Sequence, residues 1–281
     1  MTAIDRYAVF GNPIRHSRSP WIHAEFARQC EQDLQYRAVL VDIGGFADAA
    51  SSFFSGGGRG LNVTLPFKGD AFELADELSE RAQRAAAVNT LSVGDDNHIR
   101  GDNTDGIGLV RDMVANLGWQ IRGRRVLVLG AGGAVRGVLE LLMKEHPEQL
   151  LVVNRTASRA EQVAQDFADL GAVAGGGFEL LQDQQFDLVI NGTSASLAGE
   201  LPPLPDSLLT DRSCCYDMMY GSEPTPFMRW AAQHTAWAVS DGLGMLVEQA
   251  AESFYLWRGV RPQTGPVLAS LRLLLAEDRA S

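Results

Sequence analysis

The chain is almost without lysine. Of its 24 basic side chains only Lys68 and Lys144 are lysines, the others being arginine. A guanidinium keeps its proton near neutral pH whereas an ammonium can release it, so these two are the basic residues open to proton chemistry. Lys144 falls late in the helical stretch LLMKEH, where a solvated, dipole-stabilising role is expected. Lys68, in LNVTLPFKGD, is not so easily set aside. Cysteine is equally scarce: there are three, with Cys214 and Cys215 adjacent in an apolar stretch. That pattern suggests neither a disulfide framework nor a metal site, and buried, reduced thiols are expected. No run approaches the roughly 20 uninterrupted apolar residues that span a bilayer. The opening MTAIDRYAVFGNP lacks a basic region followed by an apolar one, so a cytoplasmic location is expected. A net charge of -11 argues against a nucleic acid or an anionic membrane as partner, and any anionic ligand must be held by local positive charge.

What is present is enough apolar residue, 46% of 281, to fill a sizeable core. Up to residue 105, short apolar runs alternate with helical stretches: RYAVFG, SPWIHAEFARQC, QYRAVLVD, GGFADAASSFF, GLNVTLP and FKGDAFELADEL. Pro66 should end the GLNVTLP strand at an edge or at its tip. A second series starts after Gly123 with RRVLVLG, GAVRGVLELLMKEH and LLVVNR, and continues through FDLVINGT and CCYDMMY. Such repeats imply right-handed crossovers in a mainly parallel sheet. The last 40 residues are helical in pattern and are expected to return across the interdomain cleft. The glycines at 175 to 177 and PPLP at 202 to 205 read as surface loops.

In VLVLGAGGAVRG, Gly130, Gly132 and Gly133 lie at the turn from a buried strand into a helix. Glycine there lets backbone approach a pyrophosphate, and the helix N-terminus offers unpaired N–H groups. A plain tight turn is the alternative, since Val135 occupies the third glycine position of the G-x-G-x-x-G pattern; Gly137 is the candidate for close helix–sheet packing. The second strand then ends in Asn154-Arg155-Thr156 with Arg159 close behind, where an NAD site would put an acidic residue. Two guanidiniums suit a 2′-phosphate, hence NADP; the alternative, that they solvate a helix start, sets cations against the helix dipole.

In the first half, GNPIRHSRSP puts Ser17 and Ser19 beside His16 at the first strand–helix connection, where they could hold a carboxylate. Ser19-Pro20 also fits an N-cap followed by a first-turn proline. Thr64 and Lys68 follow the next strand, and Asn89 and Asp105 come after, all polar groups at loop positions where open α/β sheets bind ligands. Lys68 and Asp105 could be a proton carrier and its orienting carboxylate, or an ordinary interdomain ion pair.

These motifs, in order over nearly the whole chain, resemble the shikimate/quinate dehydrogenase family. NVTxPxK corresponds to Asn62 through Lys68, and AVNT and DNTDG are intact; GAGGAVRG, NRTxxR, NGTS (Asn191 to Ser194), YDMMY and DGLGMLVEQAA follow. The resemblance implies an NADP-dependent shikimate dehydrogenase activity in aromatic amino acid biosynthesis, by way of chorismate. It implies a substrate domain over 1–105, a Rossmann NADP domain over 106–240, and C-terminal helices over 241–281 packing back on the first. Ser17 and Ser19 would hold the substrate carboxylate, Thr64, Asn89 and Asp105 the ring hydroxyls, and Lys68 would be catalytic. Tyr220 and Gln249 would reach the substrate, shikimate or 3-dehydroshikimate. NADP would fall to Gly130, Ala131, Gly132, Gly133, Ala134, Asn154, Arg155, Thr156, Arg159 and Thr193, with Met218 and Gly242 near the nicotinamide. No metal is expected, and the chain is expected as a monomer or homodimer. Ala24 departs from the family's usual Asn, with an effect expected on local packing only. The rivals are a quinate/shikimate dehydrogenase with broader cofactor use, and a non-catalytic NADP-binding regulatory protein.

Overall fold

The computed structural model describes residues 4–193, 195 and 199–280, without the side chains of 278–280. Two six-stranded sheets, each with its own helices, carry the chain. The first is built from β1 (Asp5–Gly11), β2 (Leu34–Leu40), β3 (Gly58–Val63), β4 (Glu77–Leu78), β5 (Thr90–Val93) and β6 (Ile99–Asp102), in the order β2-β1-β3-β5-β6-β4. Its helices are α1 (Ser19–Gln29), α2 (Phe46–Ser55), α3 (Lys68–Leu74) and α4 (Glu80–Ala85).

This sheet is mixed, with three of its five pairings parallel. β1 runs parallel to β2 and β3, but β5 is antiparallel to β3, and β6 is antiparallel to β5. The short strands β5 and β6 are joined by a few residues, GDDNH, so only an antiparallel pairing is open to them; a parallel one needs a long crossover. Pro66 lies beyond the tip of β3, in the connection to α3, and α3 ends before β4, so FKGDAFELADEL is not one helix.

Helix α5 (Asp105–Arg111), continued by a π-helical turn at Asp112–Asn116, leads to the second sheet. There β7 (Arg125–Leu129), β8 (Gln149–Val153), β9 (Val173–Gly176), β10 (Phe186–Asn191), β11 (Leu209–Asp217) and β12 (Ala238–Ser240) are all parallel, in the order β12-β11-β10-β7-β8-β9. That order, with α6 (Gly133–Lys144), α7 (Ala157–Asp166) and α8 (Pro226–Gln233), is the doubly wound dinucleotide-binding arrangement, whose strand order reverses between β7 and β10. β9 corrects the reading of the glycines at 175 to 177 as a surface loop: Gly175 and Gly176 form an edge strand. A Cβ on Gly175 would come within 2.1 Å of the Ala160 carbonyl oxygen, so glycine there is required by the approach of α7.

The last helices, α9 (Leu243–Arg258) and α10 (Thr264–Ala280), return to the first sheet as expected. Ile22 and Phe26 of α1 are buried against Leu243, Val247 and Phe254 of α9 and Val267 and Leu271 of α10. Where the halves meet, helices approach closely through glycine. A Cβ on Gly106 would lie 2.8 Å from the Gly137 carbonyl oxygen, and one on Gly108 2.7 Å from that of Met245. Gly137 therefore serves a helix-to-helix crossing between the halves rather than helix–sheet packing. Lys144 ends α6 and pairs with Glu140 at 2.6 Å. Ala24 is exposed on α1. The cysteines are free thiols; Cys215 is buried as expected, whereas Cys30 and Cys214 are only half-buried. Burial pushes the Cys214 and Cys215 thiols up to about 11 and about 12, so neither supplies a thiolate near neutral pH.

Candidate active site

A cleft of about 1430 Å³ runs between the two sheets along the C-terminal ends of their parallel strands. On the first side the strand order reverses around β1, and the connections after β1 and β3 flank the crevice, carrying Ser17 and Ser19 in one and Thr64 and Lys68 in the other. The antiparallel strands add what parallel ones could not. Thr90, first in β5, is paired with Asn62 near the end of β3 and with Asp102 at the end of β6. Asn89 at the entry to β5 and Asp105 at the exit from β6 are thus delivered to the same edge as Lys68.

There the three residues form a buried cluster. Lys68 Nζ pairs with one oxygen of Asp105, and the Asn89 amide donates to the other at 2.8 Å. The Lys68 and Asp105 side chains are 16% and 7% exposed. Asp105 begins α5, and its backbone N–H donates to the Asn103 side chain at 3.1 Å. The Thr104 N–H and hydroxyl donate to the Asn89 carbonyl oxygen, at 2.9 and 3.2 Å. Gln249, on α9, comes within 3.4 Å of Asn89 and Thr104. Burial pushes the phenol of Tyr220 up, with Arg18 acting in the opposite direction. Ser19 is the first residue of α1 and not its cap: Arg18 holds the N-cap position and no side chain caps the helix. The Ser17 hydroxyl accepts the Ser19 N–H at 3.3 Å.

Across the cleft the glycine turn follows β7 at the second reversal. Gly130 has φ of +108°, reserved for glycine, and a Cβ there would lie 3.1 Å from the Gly192 carbonyl oxygen. A Cβ on Gly132 would meet nothing within 4 Å, so the turn opens onto free space at the uncapped start of α6. Val135 does not disturb this turn. It is fully buried, and Gly192 gives way to it, since a Cβ on Gly192 would be 2.5 Å from a Val135 methyl. Ala131, Gly133 and Ala134 line the cleft beside them, and Thr193 follows β10.

Asn154, Arg155, Thr156 and Arg159 line the far end of the cleft. Helix α7 has no side-chain cap and no acidic residue in its first turn, and the exposed guanidiniums of Arg155 and Arg159 have no partner among the described residues. Two guanidiniums beside an uncapped helix start make a site for a dianion. Met218 and Gly242 meet backbone to backbone: a Cβ on Gly242 would be 2.2 Å from the Met218 carbonyl oxygen. Every candidate substrate or cofactor residue named from the sequence lines this one cleft. Ser194, the last residue of NGTS, lies outside the described residues. Sequence reasoning missed Arg136, in GAGGAVRG, which spans the halves by donating to the Ala85 carbonyl at 2.8 Å while pairing with Asp166 at 2.7 Å. It also missed the polar side chains behind Asn89.

Fold and site define a class: two-domain α/β proteins that hold a dinucleotide on one face of a cleft against a second, smaller ligand on the other. Residues 9–91 match the shikimate dehydrogenase substrate binding domain, 112–198 the shikimate / quinate 5-dehydrogenase family, and 242–272 the shikimate 5′-dehydrogenase C-terminal domain. A shikimate dehydrogenase (NADP(+)) of Cellvibrio japonicus is 60% identical over 98% of this chain and 99% of its own. Among solved structures, the Ael1 enzyme of Pseudomonas putida is 46% identical over 95% of this chain and 98% of its own, with a TM-score of 0.87. A shikimate 5-dehydrogenase of Thermus thermophilus, in complex with NADP(H) and shikimate, is 30% identical over 95% and 98%, with a TM-score of 0.84. The chain belongs to the shikimate dehydrogenase family. No helix among the described residues is long and apolar enough to cross a membrane.

Proposed function

We propose that the chain reduces 3-dehydroshikimate reversibly to shikimate with NADPH, on the route to chorismate and the aromatic amino acids. The observation that carries this reading is the buried Lys68–Asp105 pair, set under the Asn89 amide and facing the glycine turn across one cleft. NADP suits the far side: the open space at Gly132 and the start of α6 fit a pyrophosphate, and Arg155 and Arg159 fit a 2′-phosphate. When bound, NADPH supplies the hydride.

Lys68 delivers a proton to the ketone oxygen in reduction and takes it back in oxidation, which an ammonium can do and a guanidinium cannot. Asp105 accepts the Lys68 N–H, orients the amine, and is itself held by Asn89. Ser17 and Ser19 hold the carboxylate, while Thr64, Asn89, Asp105, Tyr220 and Gln249 bind the rest of the ring. Asn154, Thr156 and Thr193 complete the cofactor's surroundings, with Met218 and Gly242 beside the nicotinamide. In this reading 1–105 is the substrate domain, 106–240 the NADP domain and 241–281 the returning helices, in a cytoplasmic monomer or homodimer.

Steady-state rates with shikimate and quinate, each with NADP and NAD, separate this function from its rivals. Lys68→Met should lower kcat by roughly 10² or more with little change in the shikimate Kd. Lys68→Arg should not restore it. A folded Lys68→Met protein with near-normal kcat would overturn the role of Lys68.

A further inference from the structure

Behind Asn89 lies a chain of polar side chains that leads away from the Lys68–Asp105 pair. The Tyr36 hydroxyl, on the edge strand β2, donates to the Asn62 carbonyl oxygen at 2.8 Å. The Asn62 amide lies 3.0 Å from the Ser253 hydroxyl on α9 and 3.2 Å from the Thr90 hydroxyl. Thr90 in turn donates to the Asn89 carbonyl oxygen at 2.9 Å. The Tyr36 ring is stacked on His23, with centroids 4.2 Å apart and planes 6° from parallel. Neither nitrogen of that imidazole is within good hydrogen-bonding geometry of a partner among the described residues. Burial takes it down to about 3 against a weaker upward pull from Asn62, so it is a neutral stacking plate and not a proton store. Burial pushes the Tyr36 phenol well up, with Ser19 acting in the opposite direction.

The direction of these bonds carries the consequence. The Thr104 N–H can only donate, so the Asn89 carbonyl must face it and the Asn89 amide must face Asp105. Thr90 supports that orientation only while its single hydrogen points at Asn89. The Asn62 amide donates to Thr90 and, at 3.2 Å, to the Asn89 main-chain carbonyl, so the Thr90 oxygen accepts there and its hydrogen is left for Asn89, while Tyr36 holds Asn62 from the other end. Without the phenol, the Asn62 oxygen loses its donor and the hold of the amide on Thr90 loosens, which frees the Thr90 hydrogen to turn to the Ser253 hydroxyl at 2.8 Å.

We propose that Tyr36 is a positioning residue, whose hydroxyl holds Asn62 and, through Asn62 and Thr90, steadies the Asn89 amide that holds Asp105 against Lys68. The role rests on the proposed function.

The test uses the full chain with Tyr36→Phe, which keeps the ring on His23, together with Thr90→Val and Thr90→Ser. Circular dichroism, Tm and the NADPH Kd by fluorescence are measured beside kcat, shikimate KM and the solvent deuterium isotope effect on kcat. Tyr36→Phe and Thr90→Val should each lower kcat about tenfold, the worth of a misdirected hydrogen bond to a charged group. NADPH affinity should not change, and the isotope effect should rise as proton transfer becomes limiting. Thr90→Ser, which keeps the hydroxyl, should restore the rate, and Tyr36→Phe combined with Thr90→Val should be no worse than the slower single variant. Full kcat in folded Tyr36→Phe, or losses that multiply in the double variant, overturns the proposal. If Tyr36→Phe fails to fold, the Thr90 pair decides: failure of serine to rescue overturns it. Absence of shikimate oxidation by the unaltered chain overturns the proposed function itself, and this inference with it.

Discussion

Replacing Gly137 by alanine puts the close approach between the two halves under direct test. The residue lies within α6, so alanine should add about 1 kcal/mol of helix propensity. Its Cβ, however, would sit 2.9 Å from both the amide nitrogen and the oxygen of Asn103. That side chain is 1% exposed and held at both ends, donating to the Ala87 carbonyl at 2.9 Å and accepting from the Asp105 N–H at 3.1 Å. It can yield only by lengthening one of those bonds, at about 1–3 kcal/mol for a buried polar group left short of a partner. The net expectation is a destabilisation of up to about 2 kcal/mol, a fall in Tm of a few degrees for a protein of this size. Since the displaced amide anchors the first N–H of α5, kcat should fall several-fold while NADP affinity changes less. Differential scanning fluorimetry and steady-state kinetics read both effects. Gly265→Ala in α10, where the new methyl meets nothing within 4 Å, is the control and should cost neither. A Gly137→Ala protein that melts higher and turns over normally would refute the reasoning.

Arg155→Ala or Arg159→Ala should weaken NADP by an order of magnitude or more, as a charge-assisted phosphate contact is lost, and leave NAD use nearly untouched; equal loss with both cofactors would show that these arginines serve the fold. Asp112, 2% exposed where the halves join, has its carboxyl pushed up by burial, with Asn116 and Tyr216 acting against this and Glu248 and Asp241 adding to it. An acid that holds its proton more tightly folded than unfolded favours the fold at low pH and loses that advantage as pH rises from 3.8 through the higher folded value. The Tm of Asp112→Asn minus that of the unaltered chain should therefore increase as pH rises from 3.8, and a difference independent of pH would contradict the reading.

The second half of the fold was legible because its signals are local. RRVLVLG and LLVVNR are uninterrupted apolar runs that parallel, doubly covered strands require, and the glycine turn between them names the switch point. The first half was legible only as far as β3. The segments TLSV and IRGD are four residues each and half-polar, so no apolar period marks them as strands, and the family motifs on their flanks drew them into loops. β9 was missed for a different reason: Gly175 is fitted to the backbone of α7, an adjustment to a neighbour 15 residues away that composition reads as a turn.

The site shows the same division between local and relational information. Lys68, Asp105 and Asn89 could be singled out because their types suit the chemistry and their motifs resemble a family's. What gathers them is the antiparallel pairing of β5 with β3 and β6, which was not read, and which alone sets the start of one strand beside the ends of two others. Tyr36, Asn62 and Ser253 are more hidden still. Tyr36 and Ser253 were not singled out and Asn62 only opens a motif; Asn62 and Ser253 meet across 191 positions of the chain, and the meaning of all three lies in which atom donates to which. Hydrogen-bond direction is a property of the assembled network, set by members that cannot reverse, here the Thr104 N–H and the Asn89 main-chain carbonyl. A sequence can therefore disclose the groups that meet the substrate while leaving unseen the side chains that decide how those groups are turned toward it.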